Sequence, residues 1–153
     1  MDMEHARFNM IEQQIRPWNV LDAHVLQLLE VVKREDFVPL AHKALAFVDM
    51  EIPLPGGQCM LAPRVEARML QDLAVHKHEK VLEIGTGCGY QAAVLSLLAK
   101  EVYSIERLRG LHDRARDNLR AFRLANVHLL FGDGMAGYAK GAPYAGIEGN
   151  YNF

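Results

Sequence analysis

The spacing of apolar residues along the first 75 positions is that of amphipathic helices. Phe8, Ile11 and Ile15 predict the buried face of a first helix, which Pro17 ends. Asp22 is the predicted N-cap of a second helix. The apolar stripe of that second helix comprises Val25, Leu26, Leu29 and Val32. The sequence therefore predicts a helical N-terminal lobe.

A segment rich in proline and glycine follows this lobe. A short helix is predicted at positions 41–47, before the segment "EIPLPGGQCMLAP" at positions 51–63. Its three prolines and two adjacent glycines predict a loop with extended pieces. Pro63 suits the first turn of a further helix. The apolar positions of that helix are Val65, Met69, Leu70 and Leu73.

From Lys80 onward, short apolar runs alternate with helical patterns. The predicted strands are "KVLEIG", "EVYSIE" and "NVHLLFGD", with a helix at positions 89–99 between the first two. A long helix after the second strand carries Leu108, Leu111, Ala115, Leu119 and Phe122. This alternation predicts an α/β fold with a parallel sheet and right-handed crossovers. We interpret residues 1–153 as a single domain, with a helical lobe at 1–75 and a partial Rossmann-like half at 76–153.

The turn between the first strand and its helix has glycine at every second position: Gly85, Gly87 and Gly89. Glycine permits positive φ and, without a Cβ, lets a ligand approach the main chain. The helix N-terminus favours a polar or anionic ligand, although a tight turn without a ligand would also need glycine. Glu106 lies about 20 residues after Gly85, at the end of the second strand, where an acid can accept hydrogen bonds from ribose hydroxyls.

The spacing of these residues discriminates between nucleotide-binding motifs. The dinucleotide fingerprint G-x-G-x-x-G/A needs a small residue at the position of Tyr90. A nicotinamide-dependent dehydrogenase is therefore disfavoured. The pattern E-x-G-x-G-x-G, which starts at Glu83, instead resembles the motif of class I S-adenosylmethionine-dependent methyltransferases.

This resemblance implies roles for residues at three strand ends. The methionine end of S-adenosylmethionine would pack on the glycine turn, and Glu83 would hold its amino end. Asp133, in "FGDG", matches the position that contacts the adenine amine, although Asp-Gly is also a common turn pair. The implied cofactor-binding set is Glu83, Gly85, Thr86, Gly87, Gly89, Glu106, Asp133 and Gly134.

A longer series of segments resembles one family. In order, they read "MIEQQIRPWNVLDAHVL", "VKREDFVP", "EIPLPGGQ", "VLEIGTGCGYQAAVLSLLA" and "GDGMAGYAKGAPY". They are similar to protein-L-isoaspartate O-methyltransferases over most of the chain, to about Tyr144. The resemblance implies a Rossmann-like methyltransferase fold, S-adenosylmethionine as cofactor and an isoaspartyl-containing peptide or protein as partner. It also implies a reaction, esterification of isoaspartyl carboxylates, that belongs to protein repair.

One loop departs from this family. There, a G-Q-T-x-S-x-P loop supplies hydroxyl donors to the substrate carboxylate, whereas this chain reads "GQCMLAP". Cys59 stands at the threonine position and Leu61 at the serine position, which leaves Gln58 and Cys59 as candidate substrate-facing residues. Two hypotheses stay open: an active protein carboxyl methyltransferase, and a catalytically silent cofactor-binding or interaction module derived from the family.

Composition narrows the function classes further. The net charge of -2 over 153 residues gives no indication of a nucleic-acid or membrane surface. No apolar run approaches the ~20 residues that cross a bilayer. Two cysteines, Cys59 and Cys88, predict reduced thiols and a cytoplasmic setting. The sequence "HKHE" at positions 76–79 precedes a strand and predicts a solvated loop, so no metal site is expected.

The last nine residues, "AGIEGNYNF" at positions 145–153, predict a poor central strand because of their glycines and asparagines. The family resemblance implies an acid at Ala145 and further strands after it. The sheet is therefore expected to be incomplete, as in a C-terminally truncated or altered family member. Without a fourth strand, "KVLEI" would be an exposed apolar edge, which predicts association of two copies.

Overall fold

The structure is a computed structural model that describes residues 2–149. The N-terminal lobe starts with α1 (Met3–Met10), which continues into a π-helical stretch, Ile11–Ile15, and a 3₁₀ turn, Arg16–Trp18. The helical path ends next to Pro17, as predicted from the fixed φ and missing N–H of proline.

The prediction that Phe8 lies on the buried face of the first helix is wrong. Ile11 and Ile15 are buried, whereas Phe8 is 59% exposed. The buried face is centred on Arg7, whose guanidinium pairs with Glu35 at 2.7 Å. Because each helical residue turns by about 100°, Phe8 points roughly a quarter turn away from that centre.

The second helix agrees with its predicted start. α2 (Ala23–Val31) begins at Asp22, whose side chain accepts a hydrogen bond from a first-turn amide at 2.9 Å. The predicted stripe Val25, Leu26, Leu29 and Val32 is buried. The helix predicted at positions 41–47 is instead a 3₁₀ segment, Leu40–Leu45, because His42 has a non-helical backbone with φ -120° and ψ 15°.

The proline-rich segment forms a small hairpin. β1 (Ile52–Leu54) and β2 (Gln58–Met60) pair in antiparallel fashion across a turn at Pro55–Gly57. α3 (Pro63–Leu73) follows with proline in its first turn. The predicted loop with extended pieces is thereby confirmed.

The second half of the chain is the predicted parallel α/β unit. Its strands are β3 (Lys80–Ile84), β4 (Glu101–Glu106), β5 (Val127–Phe131) and β6 (Gly146–Gly149), and its helices are α4 (Tyr90–Leu98) and α5 (Arg109–Arg120). Within residues 2–149 these strands form one sheet in the order β5–β4–β3–β6, all neighbours being parallel. The strand order is the one expected for a Rossmann-like sheet.

β6 corrects two predictions about the end of the chain. Gly146–Gly149 is a strand that pairs with β3, and the Ala145 amide donates to the Lys80 carbonyl at 2.9 Å. A Cβ at Gly146 would lie 2.5 Å from the Leu73 side chain, so glycine fits this close packing against α3. β3 is therefore an interior strand, and the apolar edge on which association was predicted is covered. Positions 150–153 of the predicted ending lie outside the described residues.

The helical lobe packs on the α/β half through aromatic rings. Phe37 is 1% exposed, and its ring centroid lies 5.6 Å from that of Tyr90 on α4 and 5.2 Å from that of Phe122. The hairpin residues Leu54 and Met60 line one pocket with the glycine turn, so the hairpin lies beside the carboxyl end of β3. Among the described residues, no helix combines the length and apolar character needed to span a membrane.

Candidate functional site

The glycine turn has the left-handed backbone that its sequence predicts. Gly85, Gly87 and Gly89 have φ values of 91°, 58° and 93°. The Gly85 amide donates to the Ile105 carbonyl at 2.8 Å, and the Gly87 amide donates to Oε1 of Glu106 at 3.0 Å. The turn is thus fastened to the carboxyl end of β4.

Packing explains two of the predicted site glycines. A Cβ at Gly89 would lie 3.3 Å from Leu119 on α5, and one at Gly134 would lie 2.6 Å from Ile84 on β3. At these positions glycine allows close contact between elements. A Cβ at Gly87 would meet Leu54 at an ordinary 3.5 Å, so positive φ is the constraint there.

A buried hydrogen-bonded chain joins Glu83 to the glycine turn. Ser104, directly opposite Glu83 on β4, donates to Oε1 of Glu83 at 2.5 Å. The Ser104 and Thr86 hydroxyls are 2.6 Å apart, so Ser104 orients both predicted site residues. Sequence reasoning missed Ser104. A parallel register that pairs Ile84 with Ile105 places Ser104 directly opposite Glu83.

Glu106 and Asp133 both occupy strand ends but differ in their surroundings. Glu106 is buried, and its second oxygen, Oε2, accepts from the Leu108 amide at 3.0 Å. Asp133 follows β5 and is exposed; its side chain accepts from the Met135 amide at 3.0 Å and so caps a short 3₁₀ turn. The Gly132 amide donates to the Glu106 carbonyl at 2.9 Å, which brings the two strand ends together.

A pocket that is partly open to solvent lies against the glycine turn. The turn and the start of α4 line one side, and the hairpin and α3 line another. Of the predicted set, Glu83, Gly85, Thr86 and Gly87 line this pocket. Glu106 reaches it through its bond to the Gly87 amide, whereas Asp133 and Gly134 lie outside its lining.

Three buried carboxyl groups line the same pocket: Glu66, Glu83 and Glu148. Glu66 pairs with Arg34 at 2.6 Å. Burial raises the pKa of Glu83 well above its ordinary value, and the nearby charge of Glu148 raises it further. Burial also raises the pKa of Glu148 to about 7, against the opposing effect of a hydrogen bond from Gln91. Burial raises the pKa of Glu66 too, which Arg34 opposes.

These shifts predict that the chain loses stability as the pH rises. The folded chain holds the Glu148 proton to about pH 7, whereas the unfolded chain releases it near ~4.3. The stabilisation is therefore complete below the lower value and is lost as the pH rises through the upper one. Glu148→Gln removes this titration, so its melting temperature should gain on that of the wild type as the pH rises from about 4 to about 7, and the difference should stay constant above that. Thermal unfolding followed by circular dichroism over this range measures it.

Glu30→Gln provides the control, because it removes one exposed charge from α2. Its melting temperature should follow the wild-type curve at every pH. A difference between Glu148→Gln and the wild type that stays constant with pH would show that Glu148 has an ordinary pKa.

The loop predicted at positions 76–79 is confirmed. His76 and His78 stack at 6.0 Å between ring centroids, and the Glu79 carboxylate accepts from the His76 amide at 2.7 Å. No group of three or more metal-ligating side chains occurs among residues 2–149. These residues form a surface turn before β3.

A sequence model of the family "Protein-L-isoaspartate(D-aspartate) O-methyltransferase (PCMT)" matches residues 5–149. The chain belongs to the protein-L-isoaspartate O-methyltransferase family. The family resemblance of the sequence is thereby confirmed.

Relatives in the protein-L-isoaspartate O-methyltransferase family are similar along nearly all of the chain. A Janthinobacterium sp. (strain Marseille) protein of that name is 47% identical over 132 residues, 84% of this chain and 45% of the relative. One from Leptothrix cholodnii is 46% identical over 151 residues, 96% of this chain and 53% of the relative. The chain spans about half the length of these relatives.

Solved structures show the same fold. A protein-L-isoaspartate O-methyltransferase structure superposes with a TM-score of 0.75 at 26% identity, covering 96% of this chain and 47% of the other. A Plasmodium falciparum structure, described as a methyltransferase of this kind in complex with S-adenosyl-L-homocysteine, gives a TM-score of 0.67 at 16% identity. The superposition covers 86% of this chain and 63% of the Plasmodium falciparum chain.

The hairpin loop lacks side-chain hydroxyls at positions 59 and 61, where the family resemblance of the sequence implies them. Cys59 donates its thiol hydrogen to Oε2 of Glu51 at 2.7 Å. Burial, with the carboxylate of Glu51, raises the pKa of the Cys59 thiol to about 12, so the thiol stays protonated at neutral pH. Leu61 lines the pocket, and its carbonyl accepts from Arg34 at 2.8 Å. Gln58 is half-buried at the start of β2.

Proposed function

We propose that the chain binds S-adenosylmethionine in the pocket beside the glycine turn and methylates the carboxylate of isoaspartyl residues in damaged proteins. One observation carries the proposal. The left-handed turn Gly85–Gly89, which characterises the family's cofactor motif, is fastened to Glu106 and opens onto a pocket that also contains Glu83. Family membership supports the same reaction. A cytoplasmic setting stays a prediction from the cysteine content.

The residues present fit such a cofactor. The bare main chain at Gly85 and Gly87 would accept close approach of its methionine end, and Glu83, held by Ser104, would take its amino group. Glu106 would accept from the ribose hydroxyls, since each of its oxygens has a lone pair beyond its main-chain bond. Asp133 would meet the adenine amine at the next strand end. When bound, S-adenosylmethionine supplies a methyl group on a positively charged sulfur.

This reaction requires no acid–base catalyst from the chain. A substrate carboxylate with a pKa near ~4 is already ionised at neutral pH, so no base is required. The protein must align that carboxylate and remove water around it. Gln58 can donate hydrogen bonds from its amide, and the apolar Leu54 and Leu61 can exclude water.

A second function is favoured by the hairpin loop. The Cys59 thiol is a weak hydrogen-bond donor and donates to Glu51, and the Leu61 side chain has no donor. A loop with these residues supports a chain that binds the cofactor and has lost catalysis. Such a chain would act as a binding or interaction module.

Two measurements test these functions in order. Calorimetry with S-adenosylhomocysteine should show binding; absence of binding to the wild type would refute both functions. A methyl-transfer assay with an isoaspartyl peptide then separates an enzyme from a silent module. We expect Cys59→Thr to raise the turnover of this peptide, because a hydroxyl donates a stronger hydrogen bond than a thiol. Cys59→Ala is the matched control, since alanine has no donor at the same position and should not raise the turnover.

A further inference from the structure

The pocket contains a second acid beside Glu83. Glu148 on β6 lies in register with Glu83 on β3, so the two side chains project from the same face of the sheet. Their exposed fractions are 5% and 2%. Both line the pocket next to the glycine turn. A buried carboxyl pair therefore stands at the position where the ligand's amino-acid end is proposed to bind.

Two acceptor atoms in this pocket have no donor among residues 2–149. Gln91 donates from Nε2 to Oε1 of Glu148 at 2.6 Å and to the Glu66 carbonyl at 3.0 Å. Oε2 of Glu148 and Oε1 of Gln91 accept no hydrogen bond from this part of the chain, although both residues are more than nine-tenths buried. Buried polar atoms almost always have a partner, so these two oxygens indicate a donor that residues 2–149 do not supply.

The charges around the pair indicate that this donor is a cation. Arg34 is the buried cation that pairs with the pocket residue Glu66, and its other bonds go to the Leu61 and Ala46 carbonyls. Glu83 and Glu148 receive hydrogen bonds from the neutral Ser104 and Gln91 only, among the bonds described within residues 2–149. A metal is disfavoured, because these residues form no group of three metal-ligating side chains. A primary ammonium has three donors for oxygens of this kind.

We propose that Glu148 binds the protonated amino group of the ligand's amino-acid end, together with Glu83 and with Oε1 of Gln91. The proposal rests on the proposed function, since it assigns the residues that receive one group of the same ligand. In this arrangement, Gln91 has two roles: its nitrogen positions Glu148, and its oxygen accepts a third hydrogen bond. Glu148 thereby becomes a ligand-binding residue supplied by β6, the strand that the sequence did not predict.

The test pairs one variant with two ligands. Calorimetry at about pH 8 keeps the Glu148 carboxyl ionised, because its pKa is about 7. The ligands are S-adenosylhomocysteine and its analogue in which hydrogen replaces the α-amino group. Glu148→Gln retains one acceptor oxygen for Gln91, removes the charge and replaces the second carboxylate oxygen with an NH2 donor. We expect this variant to bind S-adenosylhomocysteine about tenfold more weakly than the wild type and to bind the deaminated analogue equally well.

Each outcome decides one claim. If Glu148→Gln weakens both ligands to the same extent, or leaves both unchanged, the inference is overturned while the proposed function stands. If neither ligand binds the wild type, the proposed function fails, and the inference fails with it. Glu30→Gln should bind both ligands as the wild type does, which controls for the lost charge. The melting temperature of Glu148→Gln verifies that the variant is folded.

Discussion

Arg34→Met is expected to lower the free energy of unfolding by about 3–5 kcal/mol. Arg34 is 1% exposed, and its guanidinium bonds to Glu66 at 2.6 Å and to the Ala46 and Leu61 carbonyls, each at 2.8 Å. Methionine fills much of the same space but leaves Glu66 buried without its cation. Because domains of this size are stable by about 5–15 kcal/mol, the loss would be a large share of the total. Urea unfolding measures it.

Two further variants make this result interpretable. Arg34→Met combined with Glu66→Met replaces both charges with apolar groups and should recover most of the lost stability. Arg16→Met removes an exposed pair with Glu12 and should change the unfolding free energy by less than about 1 kcal/mol. If Arg34→Met proved as mild as Arg16→Met, the buried pair would not stabilise the fold.

The consequence for function follows from the third bond of Arg34. Its Nη2 group donates to the Leu61 carbonyl, so the segment after β2 that lines the pocket is fixed to the buried pair. The Arg34 guanidinium also lies 5.1 Å from the Tyr90 ring centroid at the start of α4. Arg34 therefore connects the helical lobe, the loop and the glycine turn, and its loss should weaken ligand binding as well as stability.

The sequence predicted those parts of the fold that local periodicity determines. The strands β3, β4 and β5 and the helices between them follow from apolar runs and helical spacing, and Asp22 follows from its capping chemistry. The glycine turn was predictable because positive φ excludes most other residues at Gly85 and Gly87. The single-domain organisation stays a prediction.

The remaining parts depend on contacts between distant segments. β6 was missed because β propensity reflects side-chain packing. The strand Gly146–Gly149 is instead stabilised by main-chain hydrogen bonds to β3. The Leu73 side chain packs so closely on Gly146 that no Cβ would fit there. Ser104 and Glu148 gain their roles only from the register of neighbouring strands. Phe8 was misplaced because the charged Arg7 occupies the buried face, which no apolar pattern indicates.

Glu106→Ala is expected to weaken the binding of S-adenosylhomocysteine by about 10- to 100-fold. The Glu106 carboxylate accepts from the Gly87 and Leu108 amides, each at 3.0 Å, so alanine leaves two main-chain donors of the turn without their acceptor. It also removes the acceptor proposed for the ribose hydroxyls. Calorimetry measures the affinity, and unchanged affinity would remove Glu106 from the site.

Three comparisons separate the two contributions of Glu106. Glu101→Ala, at the opposite end of β4, should leave affinity unchanged, because Glu101 bonds to His128 away from the turn. Glu106→Gln keeps one acceptor oxygen, so its loss of affinity should be intermediate. For a ligand without the 2′ and 3′ hydroxyls, Glu106→Ala should weaken binding less than it does for S-adenosylhomocysteine. Equal weakening of the two ligands would show that Glu106 acts only by fastening Gly87, and that the ribose is held by other residues.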